Sequence, residues 1–159
     1  MKKLRDGFTL IELLVVIAII GILATTLAPK LREQLAKAKD AKAIAVLGSA
    51  RTVGNIILIE KIVLDSTSNG TIYITTQEIY DKLDSKARSV YNNGTDTNYL
   101  KIGGSKNEEN TIVKYGGFVR YNISGPGNIE IKEDSLELFL IPYTGVEEYS
   151  TEGKKWSEY

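Results

Sequence analysis

The chain has 159 residues, with 20 basic and 20 acidic side chains, no His and no Cys. This length allows one modest globular domain beyond a long helix, and the missing His and Cys exclude Ser-His-Asp triads, Cys-His dyads, disulfides, and zinc sites with imidazole or thiolate ligands. Because polyanion-binding proteins are normally basic, the balanced charge does not indicate nucleic acid as a partner.

The chain opens with a long apolar run that contains a single carboxylate. Within residues 8–28 the polar side chains are Thr9, Glu12, Thr25 and Thr26. A run of about 20 residues is long enough to cross a bilayer as a helix. An ionised Glu inside such a span costs about 2.5–3.5 kcal/mol and normally faces a protein partner rather than lipid. Glu12 is therefore predicted to pair with a cation.

The residues on either side of this run form a recognisable motif. A basic segment, Lys2-Lys3-Leu4-Arg5-Asp6-Gly7, precedes Phe8-Thr9-Leu10-Ile11-Glu12, and Pro29 follows the apolar run. This order closely resembles the leader and N-terminal helix of a type IV prepilin, over about residues 1–30. The resemblance implies that a membrane prepilin peptidase cuts between Gly7 and Phe8, that Phe8 is then N-methylated, and that Pro29 kinks the helix.

Cleavage after Gly7 would also supply the cation that Glu12 needs. The new α-amino group at Phe8 would lie four residues before Glu12. Within one helix that amine sits about one turn from the carboxylate, whereas a neighbouring copy shifted along its axis could meet it more directly. Phe8 and Glu12 are therefore predicted to pair between subunits during filament assembly.

Two other interpretations of the apolar run stay open. A secretory signal peptide also has a basic start and an apolar core, and Thr26-Leu27-Ala28 could be its cleavage site, although the charge of Glu12 argues against it. A plain membrane anchor would make Glu12 incidental. Basic residues such as Lys30 and Arg32 also follow the run, so the resemblance rather than charge counting places the leader in the cytoplasm and the remainder outside.

Beyond Pro29 the pattern becomes amphipathic, and one helix is predicted from Phe8 to about Leu64. Positions three, four or seven apart form an apolar stripe that is predicted to cover a β-sheet: Leu31, Leu35, Ala38, Ala45, Gly48, Thr52, Ile56, Ile59 and Val63. The other side of the helix carries Lys37, Lys39, Asp40, Lys42 and Arg51. Gly48 and Gly54 each weaken a helix by about 1 kcal/mol relative to Ala, and close packing against the sheet is the predicted compensation.

Residues 65–70 end this helix with turn-forming side chains, and a second helix is predicted to follow. The segment from Asp65 to Gly70 weakly resembles a calcium loop, but Thr76 stands where such a loop needs Glu, so a plain turn is favoured and no metal is expected. The second helix should begin with a capping box of Thr75 and Glu78 and end near Asn92. Its predicted apolar face consists of Ile79, Leu83, Ala87 and Val90.

The remaining pattern has a period of two and predicts antiparallel strands. The segments 112–115 and 118–123 flank Gly116-Gly117, which is a signal for a two-residue hairpin. Segments 128–132 and 136–141 follow after turn residues. The tail from Tyr143 to Tyr159 has no period, and two alternatives stay open for Trp156: it attaches the tail to the domain, or it is exposed.

No catalytic pattern stands out, and neither a cofactor nor an enzymatic activity is expected. The segment Gly103-Gly104-Ser105-Lys106 lacks the spacing of a phosphate-binding loop. Carboxylate pairs such as Glu108-Glu109 are predicted to be solvated. The absence of cysteine is a weak similarity to pilins of Gram-positive bacteria, since many pilins close their C-terminal loop with a disulfide.

These patterns predict an α+β fold, in which a long N-terminal helix with a transmembrane half and an amphipathic half packs on a small antiparallel β-sheet. Three parts are expected: a leader at 1–7, a transmembrane and assembly half of the helix at 8–28, and an extracellular headgroup at 29–159.

The resemblance implies a structural subunit of a type IV pilus, which joins copies of itself in a helical surface filament. Its implied partners are the prepilin peptidase, the assembly machinery and, before assembly, the membrane. The alternatives are a minor pilin, a pseudopilin of a type II secretion or DNA-uptake system, and a monomeric membrane-anchored binding domain. The sequence does not distinguish cell adhesion from motility.

Overall fold

The structure is a computed structural model that describes residues 8–64, 71–72, 74–91, 99–106, 111–123, 129–130, 138–143 and 148–159. The predicted leader, the calcium-like turn at 65–70 and the predicted turns at 92–94 and 125–128 lie outside the described residues. The chain divides into two compact units, Met1–Gln34 and Leu35–Tyr159, here called the N-terminal and C-terminal units.

One long helix, α1, extends from Leu10 to Leu64 and contributes residues to both units. The prediction of a helix from Phe8 to about Leu64 is therefore confirmed to within two residues at its start. Pro29 lies inside this helix, which continues through it. A kink at Pro29 stays a prediction.

Short elements follow α1 in the C-terminal unit. The helices are α2 (Thr76–Lys82), α3 (Ser85–Arg88) and a final 3-10 helix (Trp156–Glu158). The strands are β1 (Thr71–Ile72), β2 (Tyr99–Lys101), β3 (Gly104–Lys106), β4 (Val113–Tyr115), β5 (Phe118–Ile123), β6 (Ile129–Glu130), β7 (Leu138–Pro142) and β8 (Tyr149–Ser150).

All described strand pairs are antiparallel, and they form three small sheets rather than the single predicted sheet. The strand orders are β1-β6, β2-β5-β7 and β4-β3-β8. The longest pairing joins β5 to β7, from Val119 opposite Pro142 to Ile123 opposite Leu138. The α+β class, with a long helix packed on small antiparallel sheets, is confirmed.

The predicted hairpin at Gly116-Gly117 is wrong, because β4 and β5 do not pair with each other. Instead β4 pairs with β3, and β5 pairs with β2, in one unbroken register that includes Gly104 opposite Tyr115 and Tyr99 opposite Arg120. Residues 99–106 and 113–123 therefore form one long ribbon that bends between its two sheets. The bend uses Gly116 and Gly117 at φ values of 85° and 119°, which few residues other than glycine adopt.

The side of α1 that is buried in the C-terminal unit is also not the predicted stripe. The predicted positions from Leu35 onward are all exposed: Leu35, Ala38, Ala45, Gly48, Thr52, Ile56, Ile59 and Val63, here called the exposed stripe. The buried positions also recur every three or four residues: Ala36, Asp40, Ala43, Val46, Leu47, Ala50, Gly54, Ile57 and Leu58. Four of these nine are Ala or Gly, so the sheets can approach the helix closely. The packing role predicted for Gly54 is consistent with its burial, whereas Gly48 is exposed.

The second helical segment is largely as predicted. Thr75 caps α2, and the reciprocal bonds of a capping box with Glu78 are both present. The segment is broken at Leu83, however, because Asp84 caps a separate helix by accepting a hydrogen bond from the backbone N–H of Ala87 at 2.8 Å. All four predicted apolar positions, from Ile79 to Val90, are buried.

The core of the C-terminal unit lies between α1, α2, α3 and the sheet β2-β5-β7. Val119, Leu138 and Leu140 lie on one face of that sheet and are buried. Tyr91 and Tyr121 share a hydrogen bond of 2.5 Å between their hydroxyl oxygens. Burial raises the pKa of both phenols far above the usual value, so this pair stays neutral and acts as a structural contact.

Candidate functional site

Glu12 lies in the first turn of α1 and has partners in its own helix. Its Oε2 accepts hydrogen bonds from the backbone N–H of Thr9 at 2.8 Å and from the Thr9 hydroxyl at 2.7 Å. The Thr9 hydroxyl oxygen in turn accepts from the backbone N–H of Glu12 at 3.3 Å. Since Thr9 directly precedes the first helical residue, Leu10, these bonds form a capping box.

Sequence reasoning predicted a capping box at Thr75 but missed this one. The signal was present, because Thr-x-x-Glu directly before an apolar run indicates a helix start. The positive end of the helix dipole stabilises an acidic side chain in the first turn by about 0.3–1 kcal/mol. Glu12 therefore has two roles to separate, capping its own helix and pairing with a cation.

One oxygen of Glu12 remains available for the second role. Among the residues that the structure describes, Oε1 of Glu12 has no hydrogen-bond or ion-pair partner. Phe8, which would carry the new amine, is 72% exposed. The geometry of the described residues leaves both groups accessible to a second molecule.

The apolar side chains after Glu12 are uncovered on every side of the helix. Each residue from Phe8 to Arg32 is exposed, including Leu10, Ile17 and Ile22. In the part of the chain that the structure describes, α1 is the one helix long and apolar enough to span a membrane, and its most apolar stretch is not buried at all. This surface needs lipid or other subunits to cover it.

The two threonine hydroxyls near Pro29 are satisfied within the helix. Pro29 has no N–H to donate to the carbonyl of Thr25, which weakens the helix at this point. The hydroxyl of Thr25 donates to the Ile22 carbonyl at 2.8 Å, and that of Thr26 donates to the Leu23 carbonyl at 2.9 Å. Both threonines can therefore sit in an apolar environment without an unpaired hydroxyl donor.

Asp40 is the main polar contact of the C-terminal unit, and its predicted position on a solvated side of α1 is wrong. The side chain is 2% exposed. Its Oδ1 accepts from the backbone N–H groups of Gly103 at 2.7 Å and Gly104 at 3.3 Å. Its Oδ2 accepts from the backbone N–H of Thr151 at 3.0 Å and from the Thr151 hydroxyl at 2.7 Å. One carboxylate thus joins α1, the start of β3 and the segment after β8.

Glycine at position 103 is what lets this segment reach the helix. A Cβ on Gly103 would lie 2.0 Å from the carbonyl oxygen of Ala36 and 2.4 Å from its Cα. Both are backbone atoms, so the contact cannot be relieved by a rotamer change. Sequence reasoning considered Gly103 only as part of a failed phosphate loop and missed this packing role.

Arg51 holds the tail from the same helix. Its Nε donates to the Leu138 carbonyl at 2.8 Å, and its Nη2 donates to the backbone oxygen of Tyr159 at 2.6 Å. Trp156 is fully buried in the hydrophobic core of the unit, which confirms the alternative that it attaches the tail. We call the contacts of Asp40 and Arg51 with residues 148–159 the tail clasp.

The N-terminal part of the chain is similar in sequence to known proteins. Residues 2–28 match the family model described as the prokaryotic N-terminal methylation motif. The chain is 40% identical over 74 residues to a type IV major fimbrial protein FimA of Dichelobacter nodosus, covering 46% of this chain and 44% of that protein. It is 36% identical over 73 residues to a fimbrial protein of Pseudomonas aeruginosa, covering 45% and 47%. No solved structure matches.

The matched region spans less than half the length of these curated relatives. A methylation motif on the exposed, capped start of a long helix, followed by small antiparallel sheets, defines the chain as a protein with a pilin-like fold and N-terminus. The resemblance to type IV pilins that the first residues predict is confirmed by these findings.

Proposed function

We propose that this chain is the structural subunit of a type IV pilus, cut after Gly7, N-methylated at Phe8 and assembled into a helical surface filament through α1. The observation that carries the proposal is the apolar half of α1, which is exposed on all sides and whose first turn holds the carboxylate of Glu12 in a capping box. It implies a membrane precursor made of a leader at 1–7, a membrane half at 8–28 and a headgroup at 29–159. No enzymatic activity is assigned to it.

Apolar contacts alone do not explain how such helices align. Burial is worth about 25 cal/mol per Å2 relative to water, so the gain on moving from lipid into a fibre is smaller. A charge pair between Glu12 of one subunit and the Phe8 amine of the next would choose one register among many. The free Oε1 of Glu12 is the atom that would accept this contact.

The exposed stripe supports the same proposal from the C-terminal unit. It places Leu35, Ile56, Ile59 and Val63 on a face of α1 that the unit itself leaves open, each at least 47% exposed. Gly48 lies on this face, and apart from its chain neighbours and the backbone of its own helix no atom lies within 4 Å of its Cβ position. A neighbouring subunit could therefore approach the helix backbone closely at Gly48.

The first prediction separates the two roles of Glu12. Glu12→Gln keeps an oxygen acceptor for the capping box but removes the charge, whereas Thr9→Val keeps the charge but removes the hydroxyl bonds of the capping box. If the charge pair sets the register, Glu12→Gln and Glu12→Leu lose most surface filaments while Thr9→Val keeps them. All three should still be cut after Gly7. The measurements are precursor processing by mass spectrometry and filament yield after shearing.

The alternative outcomes of this experiment are distinct. Normal filament yield from Glu12→Gln together with loss in Thr9→Val would show that assembly needs the capping box and not the charge of Glu12. Normal yield from Glu12→Leu would contradict any assembly role. A variant that never reaches the membrane would place Glu12 at an earlier step.

The second prediction concerns processing. Gly7→Val puts a β-branched side chain before the proposed cut, so full-length precursor should accumulate in the membrane. Gly7→Ala, which adds a single methyl group, serves as the matched control and should be processed much more fully. A mature N-terminus at Phe8 in Gly7→Val, or at Pro29 in the unaltered chain, would contradict the proposed cleavage.

The third prediction tests the exposed stripe at Gly48. Replacing Gly in an exposed helix by Ala or Leu stabilises the helix by about 1 kcal/mol, and the space around Gly48 is open. Gly48→Ala should therefore raise the melting temperature and keep filaments. Gly48→Leu should keep the stability of the subunit but lower filament yield, because its bulk separates neighbouring helices. Equal filament yield from both variants would show that this face is not an assembly contact.

Electron microscopy of sheared filaments, with mass spectrometry of their most abundant subunit, tests the proposal as a whole. Finding this chain as the main component supports it. A low share of this chain would favour a minor pilin or a pseudopilin, and a strictly monomeric membrane protein would favour an anchored binding domain.

A source in Gram-positive bacteria rests only on the absence of cysteine, and adhesion and motility are tasks that such a filament would serve.

A further inference from the structure

The C-terminal unit has a cavity of about 330 Å3 with three lysines around it. Lys39 and Lys42 come from α1, and Lys101 comes from the end of β2. Lys39 and Lys42 are three residues apart in the helix and so project to the same side of it. Lysine side chains from two separate elements thus line one opening.

These lysines lack the carboxylate partners that three other lysines of the unit have. Lys61, Lys82 and Lys155 are paired with Glu78, Glu60 and Glu148, respectively. Within the described ranges, no carboxylate pairs with Lys39, Lys42 or Lys101. The ammonium group of Lys42 donates a hydrogen bond to the Ser89 hydroxyl at 3.3 Å. Like charges on neighbouring side chains repel one another, and a bound anion would relieve that repulsion.

The other side of the cavity suits an anion that is larger than a halide. Gly116 and Gly117 supply backbone without side chains, and the Cβ position of Gly116 faces open space. Ile102 and Phe118 make the remaining lining apolar. The volume leaves room for a phosphoryl group with part of the molecule that carries it.

We propose that the cavity between Lys39, Lys42 and Lys101 is a binding site for a phosphoryl group. Ammonium groups make charge-assisted hydrogen bonds to phosphate oxygens, and three of them can contact several oxygens at once. The phosphoryl group could come from a soluble phosphorylated compound or from a phospholipid headgroup. This site is separate from Glu12 and does not depend on filament assembly.

The test uses the full chain purified in a neutral detergent, titrated with inorganic pyrophosphate by isothermal calorimetry at low salt. We expect binding that weakens as salt is added, because the contact is between charges. Lys39→Gln, Lys42→Gln and Lys101→Gln should each weaken it about tenfold, and the triple variant should abolish it. A second triple variant, Lys30→Gln, Lys86→Gln and Lys154→Gln, removes the same charge elsewhere and should bind normally.

A second arm identifies the source of the phosphoryl group. The chain is placed in nanodiscs of phosphatidylcholine with or without phosphatidylglycerol, and the titration with pyrophosphate is repeated. Competition by phosphatidylglycerol that needs the three lysines supports the site with a lipid as its ligand. Unchanged binding supports a soluble ligand.

Two results would overturn the proposal. One is the absence of pyrophosphate binding by a chain whose melting curve shows it to be folded. The other is equal loss of binding in both triple variants, which would indicate only bulk charge. If the triple variant at the cavity loses filaments while no pyrophosphate binds to the unaltered chain, the lysines contact acidic side chains of a neighbouring copy instead.

Discussion

Replacing Asp40 by Ala should destabilise the C-terminal unit by about 3–5 kcal/mol, because it leaves buried N–H groups of Gly103 and Thr151 without an acceptor. For a unit of this size that corresponds to a fall of about 10–20 °C in melting temperature. The measurement is thermal and urea unfolding of a fragment that starts at residue 31, followed by circular dichroism. A loss below about 1 kcal/mol would contradict the structural role of Asp40.

Two variants calibrate this result. Asp40→Asn keeps one oxygen acceptor for Gly103 and offers its amide hydrogen to the Thr151 hydroxyl, but it leaves the backbone N–H of Thr151 without an acceptor. Only part of the stability should therefore be lost, about 1–2 kcal/mol. Asp84→Ala removes an exposed cap that accepts one hydrogen bond from Ala87, and should cost about 1 kcal/mol. The expected order of unfolding free energies is therefore Asp84→Ala, Asp40→Asn and Asp40→Ala, from most to least stable.

Replacing Gly103 by Ala should destabilise the same fragment by about 3 kcal/mol through a steric clash. The added Cβ would overlap backbone atoms of Ala36, so either the helix or the ribbon has to move. That movement would also lengthen the hydrogen bond from the Gly103 N–H to Asp40. The double variant of Gly103→Ala and Asp40→Ala should therefore lose less unfolding free energy than the sum of the two single losses.

Gly48→Ala is the matched control for Gly103→Ala. Both changes add one methyl group to a glycine, but Gly48 lies in an open helical position and Gly103 does not. The two substitutions should therefore change the unfolding free energy in opposite directions. A stabilising effect of Gly103→Ala would show that the close approach to Ala36 is not present in solution.

The sequence predicted the boundaries of α1, the capping box at Thr75 and the buried face of α2 and α3 because each depends on local signals. It did not predict which side of α1 is buried. The apolar residues on both sides of α1 recur at spacings of three and four. Which side is buried depends on how closely the ribbon can approach the helix. Asp40 misled the prediction, since a charged side chain normally marks a solvated face.

The ribbon between residues 99 and 123 shows a second limit. Gly116-Gly117 is a hairpin signal by composition, but two glycines at positive φ serve equally well for a bend in paired strands. The register that distinguishes the two depends on β2 and β3, whose three-residue lengths carry little signal of their own. At Glu12, by contrast, the sequence contains the complete Thr-x-x-Glu pattern of a capping box. Sequence reasoning interpreted Glu12 only as a partner for a cation.

The tail clasp has a consequence for the conditions in which the C-terminal unit can form. Asp40 and Arg51 are linked to Thr151 and Tyr159, more than a hundred residues further along the chain, by hydrogen bonds alone. A disulfide at such a position would need an oxidising compartment and would open in the presence of thiols. Closure through Asp40 needs neither an oxidant nor an isomerase, so the unit should fold and stay folded equally well in reducing and oxidising surroundings.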